Sequence, residues 1–160
     1  MSSDRMNRIL VGTDASKASV EALRRAAEEA RMRGATLEVV HAFDPPEQST
    51  AFPVPPERGK DKANVEKARE QANARLGEWL NGLDVDLSDI KVEWSVVADK
   101  RPSRAMIERS NDADLVVVGS RGRGGFAGLR MGSVSEQVAR HARAPVLVVR
   151  PSTSEKLKDT

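Results

Sequence analysis

Apolar residues fall along this chain in two alternating patterns. Arg8–Gly12 (RILVG), Thr36–Ala42 (TLEVVHA), Leu115–Val118 and Pro145–Arg150 (PVLVVR) are short, nearly continuous apolar runs, the signature of strands covered on both faces. Ile90–Val97 (IKVEWSVV) alternates and is rich in β-branched residues, which predicts one more strand. Between the runs the period changes to that of a helix. Thr13, Asp14 and Ser16 are good N-caps, Val20, Leu23, Ala27 and Ala30 recur on one stripe, and Gly34 supplies the stop. Val65, Ala68, Ala72, Leu76, Trp79 and Leu83 mark a second amphipathic helix, Pro102 opens a third through Ser110, and Ser133–His141 is a fourth. Asp44–Gly59, rich in proline and polar residues, is predicted to be a loop. Trp79 and Trp94 both fall on apolar faces and are expected in the core.

Strands alternating with helices at this spacing predict an α/β fold, an open five-stranded parallel sheet with helices on both faces. The length of 160 residues suits one domain, placed at residues 1–151, with a polar tail over 152–160. With 31% charged and 39% hydrophobic residues, the chain reads as globular rather than disordered. It holds no cysteine, which excludes disulfides and thiolate metal sites and suits a reducing compartment. Met1–Arg8 lacks the apolar centre of a signal peptide, and no apolar run approaches the ~18 residues of a membrane helix. The expected location is cytoplasmic, with no membrane partner. The net charge of +2 conceals an asymmetry, for residues 101–150 hold nine arginines against four acids, a balance that suits an anionic partner.

Ligands of open parallel sheets bind beyond the C-terminal strand ends, which here are Gly12–Asp14, His41–Ala42, Val97–Asp99 and Gly119. The richest chemistry comes after the fourth strand. From Gly119 the chain runs Ser120–Arg121–Gly122–Arg123–Gly124–Gly125–Phe126–Ala127–Gly128–Leu129–Arg130–Met131–Gly132 and enters a helix at Ser133. Glycines let main-chain amides approach a ligand closely, and a helix start favours phosphate through free N–H groups and the dipole. Arg121, Arg123 and Arg130 add positive charge, and Ser133 and Ser135 add hydroxyls. The loop has no lysine, so it is not a Walker A loop. Gly122–Ala127 spells the dinucleotide fingerprint G-x-G-x-x-A, but Gly128 and Gly132 delay the helix that this motif should open at once.

The spacing Gly119-x2-Gly122-x9-Gly132-Ser133 resembles the nucleotide-binding pattern of the ATP-binding branch of the universal stress proteins. The resemblance spans Arg8 to Arg150. Ile9–Ser16 is similar to that family's opening V-x-x-D-x-S, and Leu37–Ala42 to its second strand ending in histidine and a small residue. Asp112–Ser120 and Ala144–Val149 also match its pattern. Where the family usually has Gly-x-Pro after the third strand, this chain reads Ala98–Asp99–Lys100–Arg101–Pro102, which is longer and carries both signs of charge.

The resemblance implies a Rossmann-like sheet of strand order 3-2-1-4-5 and a homodimer through the last strand, Val146 to Val149. It also implies that ATP, ADP or AMP is bound, with Mg2+ or Mn2+ accompanying the phosphates. Asp14 would lie against the adenosine, Ala42 would meet the adenine, and Val118 and Gly119 would line base and ribose. Gly122, Gly132, Ser133, Val134 and Ser135 would hold the phosphates. With Gly12 at the first strand end and Arg123 in the loop, these form the candidate set.

No catalytic residue is assigned. His41 is expected to be a packed or hydrogen-bonded wall residue, and His141 to serve the C-terminal end of its helix. Three functions are compatible with this reading: a nucleotide-binding stress-response module acting through conformation or dimerisation, a slow ATPase or phosphotransfer enzyme at the same site, or nucleic-acid binding through Arg121–Gly125. The lack of a strong general base speaks against the second. The lack of stacking aromatics other than Phe126 speaks against the third.

Overall fold

The computed structural model describes residues 7–43, 62–99, 101–120 and 132–150. The chain runs β1 (Arg8–Gly12), α1 (Lys17–Arg33), β2 (Thr36–Phe43), α2 (Lys62–Asn81), β3 (Val92–Ala98), α3 (Pro102–Ser110), β4 (Leu115–Gly119), α4 (Ser133–His141) and β5 (Val146–Val149). All strand pairs are parallel and their order is β3-β2-β1-β4-β5, as the resemblance implied. Because successive strand residues point to opposite faces, Ile9, Val11, Leu37, Val39 and Val117 meet α1 and α2 on one side. Leu10, Val40, Val116 and Val118 meet α3 and α4 on the other. Burial on both faces explains why these strands read as unbroken apolar runs.

Local chemistry fixes both ends of α1. Ser16 caps it, its side chain accepting the Ser19 N–H at 3.2 Å. Gly34 ends it in the left-handed region at φ 61° and donates to the carbonyls of Ala30 and Arg31. The alanines of its stripe (Ala22, Ala26, Ala27 and Ala30) are buried, so the helix axis lies close against the sheet.

Two sequence expectations shift. β3 starts at Val92 rather than Ile90, because Asp86 and Ser88 build a turn in which the Ile90 N–H bonds the Leu87 carbonyl at 3.4 Å. Ile90 still packs on the core, which is why the alternation ran on through the turn. Trp94 is not a core residue; it is 44% exposed on the edge strand. Its ring lies over Gly77 of α2, where an added Cβ would come within 2.9 Å of it, and its indole N–H donates to the Asn73 carbonyl at 3.0 Å. Trp79 is half-buried against the core. The predicted loop over residues 44–59 and the tail over 152–160 lie outside the described residues.

Candidate functional site

The sheet order places β1 and β4 side by side, with the helices that succeed them on opposite faces. This reversal opens a crevice beyond the C-terminal ends of the two strands. Gly12 and Gly119 close those strands, and Ala42 lies near the end of β2. Val118 is buried one residue earlier. Gly12 also has a packing reason: a Cβ there would stand 3.0 Å from the terminal carbon of Met106 in α3.

After β1 the chain makes a tight, polar connection into α1. The Ala15 N–H donates to the Thr13 hydroxyl (3.1 Å), which donates to the Ser19 hydroxyl (2.9 Å), which in turn donates to the Ser16 carbonyl (2.7 Å). Each hydroxyl thus accepts or donates in one continuous run, an arrangement that fixes the turn. Asp14 Oδ1 accepts the Ser16 N–H at 2.9 Å. Ala15 sits at φ 63°, the sole positive φ outside glycine among the described residues. Such strain persists only where surroundings enforce it, and it concentrates at ligand sites. The Thr13 hub and the strain at Ala15 were not anticipated from sequence, although the cluster of small hydroxyl residues carried the signal for the first.

The second wall is the passage from β4 to α4. The Gly132 N–H donates to the Ser120 carbonyl at 2.7 Å, and the Ser135 hydroxyl donates to the Gly119 carbonyl. The Ser120 N–H in turn bonds the Val149 carbonyl at 2.8 Å. These bonds tie the first turn of α4 to the ends of β4 and β5. Gly132 is the N-cap, extended at φ −72° and ψ 160°, and no side chain caps the helix. Its first helical bond runs from the Glu136 N–H to the Gly132 carbonyl. The N–H groups of Ser133, Val134 and Ser135 therefore precede the i→i−4 ladder and have no acceptor within the helix. Ser133 is exposed, and Val134 is exposed by 39%, an unusual place for a large apolar side chain. Because the Ser135 hydroxyl is spent on Gly119, what that residue offers a ligand as donor is its amide.

Of the predicted set, Gly12, Asp14, Ala42, Val118, Gly119, Gly132, Ser133, Val134 and Ser135 come to this one edge of the sheet. Gly122 and Arg123 lie outside the described residues, as do Arg121 and Arg130. His41 is buried at the same edge, its Nδ1 2.7 Å from the Thr13 carbonyl, which fits the wall role expected of it. His141 stands exposed in the last turn of α4. At the Ala98–Pro102 departure, Asp99 Oδ1 accepts the Arg101 N–H at 2.9 Å, and Pro102 begins α3 as its first residue. Among the described residues no three His, Asp or Glu side chains gather as a metal site. None of their helices is long and apolar enough to cross a membrane.

Apart from Arg104 in the first turn of α3, whose guanidinium is raised by its bond to Glu108, the perturbed acids and bases lie away from this edge. At the opposite end of the strands Arg8 bridges Glu93 (2.9 Å) and Glu38 (3.0 Å), and Arg109 meets the other oxygen of Glu38 at 2.5 Å. The bond from Arg8 holds the Glu93 carboxyl below its usual range, and the same bond raises the Arg8 guanidinium. The charged network braces the sheet; beside the Asp14 carboxylate and the His41 ring, the crevice is built from main-chain groups and hydroxyls.

An open parallel α/β domain with an uncapped helix start at its switch point is a Rossmann-like architecture. The chain belongs to the universal stress protein family, whose model matches residues 6–150. It is 41% identical over 144 residues to universal stress protein Rv2623 of Mycobacterium tuberculosis, covering 90% of this chain and 45% of that protein. The chain thus spans about half the length of the curated relatives it matches. Among solved structures it is similar to a universal stress protein in complex with cAMP (28% identity, TM-score 0.55, 92% and 98% of the two chains). The hypothetical protein MJ0577 shares the fold at 24% identity and TM-score 0.65, over 93% and 99% of the two chains.

Proposed function

We propose that this chain is an adenine-nucleotide-binding module of the stress response, taking ATP or its ADP and AMP relatives at the β1–β4 crevice. One observation carries the reading: α4 begins uncapped at Gly132, tied to the end of β4, so three consecutive amides await an anion. The similarity to a protein solved with cAMP supports an adenine ligand. In this reading the amides of Ser133, Val134 and Ser135 hold phosphate together with Gly122, Gly132 and Arg123, and Mg2+ or Mn2+ accompanies it. Ala42, Val118 and Gly119 take the base and ribose, and Asp14 the adenosine. The residues present fit such a group in kind, since a phosphate wants donors and a base wants the small, apolar wall that glycine, alanine and valine provide.

Occupancy acts through the folded state, which any ligand specific to it stabilises, and through a homodimer along β5. The two edges of the sheet differ in a way that favours this. On β3 the Val96 N–H is taken by the Asn73 side chain of α2 at 2.7 Å, and Trp94 closes over the same helix. β5 consists of four half-buried apolar residues, an edge suited to a partner.

The test is direct. Purified protein is denatured, the supernatant chromatographed, and the emptied, refolded protein titrated with ATP, ADP, AMP and cAMP by calorimetry. Saturable binding of at least one adenine nucleotide is expected, with a rise in melting temperature. No binding of any of the four at millimolar concentration overturns the proposal. Steady release of phosphate from ATP would select the enzymatic reading.

A further inference from the structure

We propose that His41 is the positioning residue of the nucleotide site, holding the Asp14 loop in its strained, binding-competent shape. The inference rests on the nucleotide reading and names a determinant of that same site. A carbonyl oxygen can only accept, so the 2.7 Å contact between Nδ1 of His41 and the Thr13 carbonyl requires the proton on Nδ1. Both residues are buried. The bond acts on a particular peptide: the Thr13 carbonyl belongs to the Thr13–Asp14 link, and fixing its oxygen fixes the plane from which Asp14 departs. The other side of Thr13 is gripped too, since its N–H donates to the carbonyl of Val40, the residue before His41. Two adjacent residues of β2 therefore hold Thr13 from both of its main-chain groups.

The turn that Thr13 leads into needs such a hold. Ala15 adopts φ 63°, a conformation unfavourable for an L-residue and one that the free chain would leave. The Thr13–Ser19 hydroxyl run secures the helix side of the turn, and His41 secures the strand side. A leucine there would fill similar space but leave the buried Thr13 carbonyl without this donor. Asparagine places an amide N–H at the same distance along the side chain as Nδ1, whereas glutamine places it one atom further, where Nε2 lies.

The test compares His41→Leu, His41→Asn and His41→Gln with the native protein by nucleotide titration and by amide exchange of residues 14–16 without nucleotide. Loss of a buried donor predicts about tenfold or greater weakening in His41→Leu with faster exchange at Ala15 and Ser16, since such bonds are worth about 1–3 kcal/mol. His41→Asn should restore affinity and exchange to near native values, and His41→Gln should not. That contrast separates positioning from packing, and the two polar variants decide even if His41→Leu fails to fold. Equal affinity in His41→Asn and His41→Gln overturns the inference. If the native protein binds no nucleotide, the functional reading falls, and exchange alone then decides: equal rates in His41→Asn and His41→Gln would overturn the loop role as well.

Discussion

Ala15 and Gly34 occupy the same region of backbone space, at φ 63° and φ 61°, on either side of one helix, yet one carries a Cβ and the other does not. At Gly34 nothing lies within 4 Å of an added Cβ, so the glycine answers to conformation alone. The pair predicts opposite outcomes from opposite substitutions. Gly34→Ala should destabilise the protein by about 1 kcal/mol, because alanine resists the left-handed region. Ala15→Gly should release strain and stabilise it by a few tenths to about 1 kcal/mol, offset in part by the greater freedom of glycine in the unfolded chain. Urea denaturation at constant m-value reads both. If Ala15→Gly lost stability, the packing of the Ala15 methyl on the core and the freedom of glycine in the unfolded chain would together outweigh the strain. A stabilised Ala15→Gly that binds nucleotide less well would show the strain to be retained for the ligand.

At the scale of elements, the first turn of α4 is where chemistry and fold meet. Proline is well accommodated at the first position of a helix, where its missing N–H costs the helix nothing. Gly132 is already extended at ψ 160°, the conformation a residue before proline prefers. Ser133→Pro should therefore leave the fold and melting temperature nearly unchanged while deleting one amide from the proposed phosphate site. A hydrogen bond to a charged acceptor is worth about 1.5–3 kcal/mol, so affinity for ATP should fall about ten- to a hundredfold, with Ser133→Ala near native. Unaltered affinity in Ser133→Pro would remove that amide from the site. Much of this element was legible in the sequence: glycine then serine announces a helix start, and the helix does run from Ser133 to His141. What could not be read was the spending of the Ser135 hydroxyl on Gly119, because that bond depends on how α4 meets β4 in space. Trp94 departs from its expected place for a related reason. Periodicity assigns a face, but how far that face is covered depends on Gly77, which lets the ring lie against α2 at the sheet edge while leaving it 44% exposed.

For the whole molecule, the five apolar runs and the helical stripes between them prescribed a parallel sheet, whereas the strand order came from family likeness, since periodicity carries no information about neighbours in space. The order has a consequence for assembly, because it leaves β3 and β5 as the two edges. Asn73 and Trp94 occupy the first. On the second, the carbonyls of Pro145 and Val149 accept from β4, so odd-numbered residues face the ladder. Alternation then turns the N–H groups of Val146 and Val148 away from it, as a pairing edge requires. Proline at an outward position of an edge strand removes no internal ladder bond. If the protein dimerises along β5, Val148→Pro should convert it to a folded monomer, read as a halving of mass in sedimentation or light scattering with the circular dichroism retained. A dimer that survives the substitution would use another surface, and a native protein monomeric at all concentrations would remove dimerisation from the mechanism. Because curated relatives are about twice as long as this chain, a pair of copies would match one such relative in length.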